Sequence, residues 1–423
     1  MLPSCRCTRL VLYALFLGSG VPLRPLAAQS PRVITFNDAL RTALDQSNVI
    51  RQSRYAVDLD EASVRQSRAQ LLPDLRLTTQ GSQNYGRNFS SDEGRILNTS
   101  TQALNSGISS SVVLFNGMAN VSNIAQAKLN RQASELDLAR SRETVVFTVL
   151  SNYLTLIEQQ EQLRVQQSSL AAQDTLERQV QEFVNAGTRS IADLYQQQAS
   201  VASARLGVVQ AERAVGLAKV DLIQTLKLDP AGLYEFAVPA LDSVAPRART
   251  MDMTALFQRA LQQRRDVDAL QSRLQASETS VRVAGATAWP TLSLSVGYNS
   301  SYASSADAAF FNQLDQRRGG SVGLNVSFPI FDRFSSRINS ERAQIQQQTA
   351  GLALDNLRQE VGLQVRRALL DNVSAQAQLA AAQAQQRAAD LSLQAAQERY
   401  RAGAATLVEV TQARATSVQA ASA

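Results

Sequence analysis

Residues 118–186 read MANVSNIAQAKLNRQASELDLARSRETVVFTVLSNYLTLIEQQEQLRVQQSSLAAQDTLERQVQEFVNA and contain neither glycine nor proline. An α-helix rises about 1.5 Å per residue, so this run would be roughly 100 Å long as one helix. Apolar side chains recur every three or four positions, at Val146, Leu150, Tyr153 and Ile157. This is the spacing of a helix that packs along a neighbour. The stretch therefore predicts a helix too long for a compact globular domain of this mass.

The first glycine after this run predicts that the helix ends and the chain turns back. Gly187 is suited to the left-handed conformation that ends many helices. A second helical pattern then continues to Lys227. We therefore expect two antiparallel helices, a helical hairpin over about 117–227, with Gly187 at its tip.

The chain contains two copies of this pattern, because it matches itself at a nearly constant offset. Residues 43–77 match residues 260–294 at an offset of 217. Further along, Gly187 falls on Gly403 at an offset of 216. Several landmarks in one order at one spacing predict two internal repeats.

The two repeats are expected over residues 29–240 and 241–423. Each is predicted to contain a first helix, two strands and a helical hairpin. In repeat 1 these cover about 36–71, 74–114 and 117–227, and in repeat 2 about 253–288, 291–331 and from 333 onward. The chain continues 40 residues past Gly187 to Lys227 but only 20 past Gly403, so we expect the last helix to be truncated.

The strands are predicted from a change in apolar spacing after Pro73 and Pro290. From there apolar residues alternate with polar or small ones, which is the period of a strand. Leu292, Leu294 and Val296, for example, are each followed by serine or glycine. Each repeat should therefore contribute a β-hairpin with one apolar and one polar face, which makes four strands in the chain.

The amino-terminal residues 1–28 are predicted to be a secretory signal peptide. Arg6 and Arg9 precede an apolar run over residues 10–17, and two alanines end the segment. The run is shorter than the roughly 20 apolar residues that a membrane-spanning helix needs. Its removal would take away three arginines and no acid, and would lower the net charge from +6 to +3.

Composition excludes several kinds of chemistry. The chain has no histidine, and its two cysteines are Cys5 and Cys7. Without histidine there is no Ser-His-Asp or Cys-His relay and no imidazole metal site. The 42 basic and 36 acidic residues are interspersed rather than clustered, so we expect no nucleic acid partner. We also expect no cofactor and no metal.

Two interpretations of the hairpins remain open at this point. One is a soluble sheet that lies on the helices. The other is a transmembrane β-barrel, which must close so that no strand edge meets lipid. Four strands cannot close, because the smallest outer-membrane barrels have about eight strands. The membrane interpretation therefore requires several chains to share one barrel.

The element order resembles that of the TolC-like outer membrane efflux protein family, and the resemblance covers nearly all of residues 33–423. The order is helix, strand, strand, long helix, glycine tip and returning helix, written twice after a signal peptide. The most specific segments are the tips, EFVNAGTRSIADLYQQQAS at 182–200 and ERYRAGAATLVEVTQARATS at 398–417.

The resemblance implies a mainly α fold with β-structure, assembled as a homotrimer. Three chains would pool four strands each into a twelve-stranded barrel in outer membrane lipid, and their helical hairpins would form a periplasmic α-barrel. The tips would meet a periplasmic adaptor tied to an inner-membrane pump. The implied function is a passive exit duct of a tripartite efflux or type I secretion system in a Gram-negative bacterium.

The resemblance also implies a pore constriction near the tips. The acidic constriction position, six residues after the tip glycine, is Asp193 in repeat 1 and Glu409 in repeat 2. A ring of such carboxylates in a narrow wet pore would attract cations. Tyr400 matches a tyrosine of the family's closed-state network.

Two positions of that network depart from the family pattern. The arginine expected in repeat 2 falls on Ala405, whereas Arg189 stands at the corresponding place in repeat 1. A second acid is expected where Gln412 stands. The adaptor-binding tips would be the two triplets Ala186, Gly187, Thr188 and Ala402, Gly403, Ala404.

Three alternatives to the duct are kept. A structural coiled-coil envelope protein would use the same long helices without a pore. An enzyme that uses a pair of carboxylates needs neither His nor Cys, but helices rich in Ala, Gln and Ser offer no apolar pocket for it. A periplasmic adaptor would have one helical hairpin and a compact β-domain. The transported substrate and the class of pump cannot be deduced from these residues.

Overall fold

The structure, a computed structural model, describes residues 32–90, 94–237, 252–306 and 308–422. Its first half contains β1 (Arg32–Ile34), α1 (Phe36–Gln46), α2 (Asn48–Ala69), β2 (Arg76–Ser90), β3 (Arg95–Asn116), α3 (Ala119–Asn185), α4 (Ile191–Leu226) and β4 (Tyr234–Phe236). Its second half contains α5 (Met253–Gln263), α6 (Arg265–Gly285), a 3₁₀ turn (Ala286–Ala288), β5 (Thr291–Ala303), α7 (Phe310–Gln316), β6 (Gly319–Ser327), α8 (Ser335–Arg401) and α9 (Leu407–Ala421).

The long helices predicted from sequence are present and uninterrupted. Helices α3 and α8 have 67 residues each, which is a length of roughly 100 Å. Each begins after a residue in the left-handed region, Met118 with φ 66° and Phe334 with φ 62°. These two residues are 216 positions apart, which is the offset found by self-comparison. Helices α4 and α9 run back along α3 and α8, so each half contains a helical hairpin.

The first helix of each half is interrupted, so the prediction of single helices over 36–71 and 253–288 is wrong. The chain is extended at Ser47 (φ −59°, ψ 124°) and at Arg264 (φ −80°, ψ 121°). Arg264 forms an ion pair with Asp266 at 2.6 Å and donates to the side-chain oxygen of Gln364 on α8 at 2.6 Å. The hydrogen bond with Asp266 raises the pKa of Arg264. This break is therefore stabilised by contacts beyond its own helix.

The four long strands form one antiparallel sheet in the order β2-β3-β5-β6. The pairing of β3 with β5 joins the two hairpins, which was not predicted. Register places the apolar residues on one face, among them Leu77, Ile108, Val112, Leu294, Val296, Tyr298, Val322 and Leu324. The opposite face carries Ser109, Ser111, Ser293, Ser295, Gly297, Ser321 and Gly323. The predicted division into an apolar and a polar face is confirmed.

Strand boundaries differ from the prediction in the second half. Strand β6 ends at Ser327, not near residue 331. Pro329 has no N–H group to donate to a ladder, which explains why pairing stops there. In the first half β3 continues to Asn116, two residues past the predicted end. The short helix α7 between β5 and β6 was also not predicted.

Within the described residues, none of the helices is long and apolar enough to cross a membrane. The predicted signal peptide at 1–28 lies outside the described residues. The predicted boundary between the two repeats, at residues 240 and 241, also lies outside them.

The largest apolar cluster lies where α1 and the short strands meet the hairpin of the first half. Tyr153 on α3 is 2% exposed and lies edge-on to Phe36 at 5.3 Å and to Phe236 at 6.4 Å between ring centroids. Its hydroxyl donates to the carbonyl oxygen of Ala237. Burial raises the pKa of Tyr153. The parallel pair of β1 with β4 brings Phe236 to this place.

We expect Tyr153→Ala to destabilise the protein by about 3–5 kcal/mol, because it removes a fully buried ring. Tyr153→Phe keeps the ring and loses only the hydroxyl, at a cost of about 1 kcal/mol. Thermal unfolding of both variants in detergent measures the two effects. Equal unfolding temperatures for the alanine variant and the unsubstituted protein would contradict the central place of this cluster.

Candidate functional site at the helical tips

The tip of the first hairpin is a left-handed helix cap. Helix α3 ends at Asn185, and Gly187 has φ 72°, a region that favours glycine. The N–H of Gly187 donates to the carbonyl of Val184 at 3.0 Å, and the N–H of Thr188 donates to that of Phe183 at 2.9 Å. These bonds satisfy carbonyls that the helix end would leave unpaired.

The tip of the second hairpin has the same geometry. Gly403 has φ 74°, and its N–H donates to the carbonyl of Tyr400 at 3.0 Å. The N–H of Ala404 donates to the carbonyl of Arg399 at 2.8 Å. The left-handed caps predicted at Gly187 and Gly403 are confirmed. Both predicted triplets, 186–188 and 402–404, are exposed.

The returning helices are capped by side chains. Ser190 accepts from the N–H of Ala192 at 3.1 Å. Thr406 and Glu409 form a reciprocal capping box, with the N–H of Glu409 donating to the Thr406 hydroxyl at 3.3 Å. Asp193 lies in the first turn of α4, where a carboxylate interacts favourably with the helix dipole. Both candidate constriction carboxylates therefore also stabilise helix starts.

The two tips pack against each other through a cluster of buried apolar residues. We name this the tip cluster, and its buried members are Leu176, Val180, Leu194, Ala396, Tyr400, Ala405, Leu407 and Val410. Phe183 and Val184 pack against it from α3. The cluster holds the two hairpins of one chain side by side at their tips.

Arg189 and Tyr400 are in direct contact, which joins the two tips. The guanidinium carbon of Arg189 lies 4.6 Å from the centroid of the Tyr400 ring, a cation–π distance. The same guanidinium donates to the carbonyl oxygen of Tyr400 at 3.3 Å. Burial raises the pKa of Tyr400, the nearby charge of Arg189 lowers it, and that of Asp193 raises it. The arginine beside this tyrosine thus comes from the first tip.

Ala405 stands where the family pattern has an arginine, and it is buried in the tip cluster. A guanidinium at this position would have to be accommodated among apolar side chains. Arg189 reaches Tyr400 from the other hairpin instead. The alanine at position 405 is therefore accompanied by a contact between the two repeats, that of Arg189 with Tyr400.

Glu409 forms an ion pair with Arg399 at 3.2 Å across the second tip. This partner was not predicted, although the two residues lie five positions on either side of Ala404 and could be paired by hairpin symmetry. No hydrogen bond or ion pair between described residues joins Asp193 to Glu409. Gln412 is exposed on α9. Within the described part of one chain, Asp193 and Glu409 are therefore not bonded to each other.

Two long helical hairpins, packed at their tips and continuous with one antiparallel sheet, define the architecture of a TolC-like outer membrane channel. The chain belongs to the outer membrane efflux protein family, whose model matches residues 39–226 and 256–423. The resemblance noted from the tip segments is thereby confirmed. The protein is located in the outer membrane.

Individual relatives agree with this assignment. The chain is 35% identical to Protein CyaE of Bordetella pertussis over 231 residues, which cover 54% of this chain and 47% of CyaE. It is 26% identical to the pyoverdine export outer membrane protein OpmQ of Pseudomonas putida over 278 residues, 66% of this chain and 57% of OpmQ. The chain thus spans about half the length of these two relatives.

A solved structure shows the same fold. The Campylobacter jejuni CmeC outer membrane channel superposes with a TM-score of 0.78 and 18% identity, over 92% of this chain and 81% of CmeC.

We expect Arg189→Ala to loosen the tips. A cation–π contact and one hydrogen bond together stabilise by roughly 1 kcal/mol, so amide hydrogen exchange at residues 183–190 should accelerate about fivefold. Arg178→Ala is the matched control, because among the described residues Arg178 forms hydrogen bonds only to Asp174 and Thr175 of its own helix. Equal exchange rates in both variants would show that the contact does not hold the tips.

Proposed function

We propose that the chain is one subunit of a passive exit duct through which substrates leave across the outer membrane. The duct has no chemistry of its own, and an inner-membrane pump supplies the energy. The observation that carries this proposal is the sheet, whose apolar face is uncovered in the described part of the chain.

The apolar face of the sheet is exposed to an extent that a soluble protein would not tolerate. Leu77, Val322 and Leu324 are 74%, 75% and 62% exposed. Large contiguous apolar surfaces mark contact with lipid or with a partner. The opposite face of Ser, Gly and Asn suits a water-filled lumen. Contact with lipid on one side and with water on the other would account for the apolar face and for the polar face of the sheet.

The edges of the sheet support an assembly of several chains. Strands β2 and β6 each have a partner on one side only within the described residues, and an open edge is not tolerated in lipid. Strands β5 and β6 have 13 and 9 residues, close to the roughly 9–11 that span a bilayer. Three copies would give twelve strands, the number that the family architecture implies.

The helices support packing between chains as well. Helix α4 buries Val201, Val208 and Val215 against its own chain. Another set of its apolar side chains remains more than half exposed, namely Leu206, Val209, Leu217 and Val220. A neighbouring chain's helices would cover this second stripe, as in a closed ring of helices. Such a ring, roughly 100 Å long, is the periplasmic part of the proposed duct.

The tips form the periplasmic end of the duct in this proposal. Their exposed triplets at 186–188 and 402–404 would bind the adaptor. Asp193 and Glu409, repeated in three chains, would place six carboxylates around the narrow end. Tyr400 and Arg189 would hold the closed arrangement. Gln412 contributes no charge to this ring.

The alternatives gain less support. A solid coiled coil does not explain a sheet with one apolar and one polar face. A periplasmic adaptor would not contain four strands between long helices. Family membership favours transport over a carboxylate-based enzyme. The name of OpmQ describes export of pyoverdine, and we extend only export, not that substrate, to this chain.

The decisive measurement is conductance in planar bilayers. We expect the purified protein, with a mass of three chains in detergent, to form cation-selective channels. Asp193→Asn combined with Glu409→Gln should lower the cation selectivity several-fold, because it removes the carboxylates nearest the narrow end. Glu235→Gln, an exposed carboxylate on β4, serves as the control. A monomer that passes no current would refute the duct.

Adaptor binding is tested by cysteine crosslinking. The chain has no cysteine after Cys7, so Thr188→Cys and Ala404→Cys create unique thiols at the two tips. We expect both variants, but not the mid-helix variant Gly216→Cys, to crosslink to the cognate adaptor in whole cells. Capture by the mid-helix variant alone would place the adaptor elsewhere.

A further inference from the structure

Arg414 on α9 is a buried cation without a charged partner among the residues that the structure describes. It is 6% exposed, although nearly all arginines of folded proteins reach water or a carboxylate. Its Nε atom is buried and makes no hydrogen bond, and no ion pair to its guanidinium exists among the described residues. Burial lowers the pKa of Arg414. A buried charge of this kind is costly unless something compensates it.

Arg414 lines a cavity of about 230 Å³ between α3, α8 and α9. The hydroxyl of Tyr400 faces the same region, and it too is buried and without a hydrogen-bond partner. The remaining polar groups of the lining come from Thr175, Gln179, Gln397 and Arg401. None of the described lining residues is a carboxylate. Of the two cationic side chains, Arg401 forms an ion pair with Glu398 at 2.8 Å. The Nε of Arg414 and the hydroxyl of Tyr400 have no acceptor among the described residues.

Carboxylates nearby are already engaged. Asp390 and Glu161 line a second cavity on the other side of Arg414. Asp390 accepts from the hydroxyl of Ser417 at 2.7 Å, and Glu161 forms an ion pair with Arg164 at 3.4 Å. Neither forms an ion pair with Arg414. The unsatisfied donors therefore point to an acceptor from outside the chain.

We propose that the cavity between Arg414 and Tyr400 binds a small inorganic anion, such as chloride or phosphate. The anion would accept from the guanidinium of Arg414 and from the hydroxyl of Tyr400, which lie on α9 and α8, against α3 of the first hairpin. It would thereby join the two hairpins at the tip cluster, whose members Leu176, Tyr400 and Val410 line the cavity. This proposal does not depend on whether the protein is an export duct.

Thermal unfolding at constant ionic strength tests the site. The full-length protein in detergent is measured in sodium gluconate, whose bulky anion is the reference, and in sodium chloride or sodium phosphate. We expect chloride or phosphate to raise the unfolding temperature by about 3 °C, because the anion binds only the folded state. The anion that gives the larger rise identifies the preferred ligand.

Substitutions identify the residues on which the effect of the anion on the unfolding temperature depends. Arg414→Met keeps the side-chain length and removes the charge, and it should abolish the dependence on the anion. Tyr400→Phe should reduce it, whereas Arg387→Met, an exposed arginine on α8, should leave it unchanged. Should Arg414→Met fail to fold, a bromide peak beside Arg414 in anomalous diffraction from the unsubstituted protein replaces that comparison.

Other outcomes overturn the proposal. If the unsubstituted protein shows no difference between gluconate and the small anions, water or an acceptor of another chain satisfies Arg414. If Asp390→Asn destabilises as much as Arg414→Met in every salt, the two residues form an ion pair in solution and no anion is needed.

Discussion

Backbone hydrogen bonding at the edges of the sheet is the constraint on which the rest of the molecule depends. Strands β2 and β6 each leave one row of N–H and C=O groups unpaired within the described chain. A sheet with an exposed apolar face cannot leave such rows unpaired in lipid. In the proposed trimer, copies of the chain would pair these rows. The register of the four strands, which places the apolar residues on one face, would suit contact of that face with lipid.

Apolar packing is distributed along the long helices in separate clusters and is not concentrated in one core. One apolar cluster surrounds Tyr153 near the middle of α3, a smaller one lies between α5, α6 and α8, and the tip cluster lies at the end of the hairpins. Between them, contacts are mostly those of neighbouring helices with period 3.6. Small residues such as Ala and Ser allow these helices to pack closely.

The features that sequence predicts well are those with local causes. The run without Gly or Pro predicts α3, and the glycines at 187 and 403 predict both tips. Breaks at Ser47 and Arg264 carry no such signal, because the Arg264 break is stabilised by Gln364, one hundred residues away. The pairing of β3 with β5 is equally non-local. In the sequence Arg414 cannot be told from an ordinary helix charge, because its burial arises only when α3 and α8 pack against α9.

In the proposed duct, the contact of Arg189 with Tyr400 would constrain how the periplasmic end opens. The guanidinium belongs to the first hairpin and the aromatic ring to the second. Neither hairpin can therefore move outward alone without breaking the contact between Arg189 and Tyr400. In the proposed trimer, dilation of the aperture would therefore require three equal movements of whole protomers rather than the independent unwinding of single hairpins.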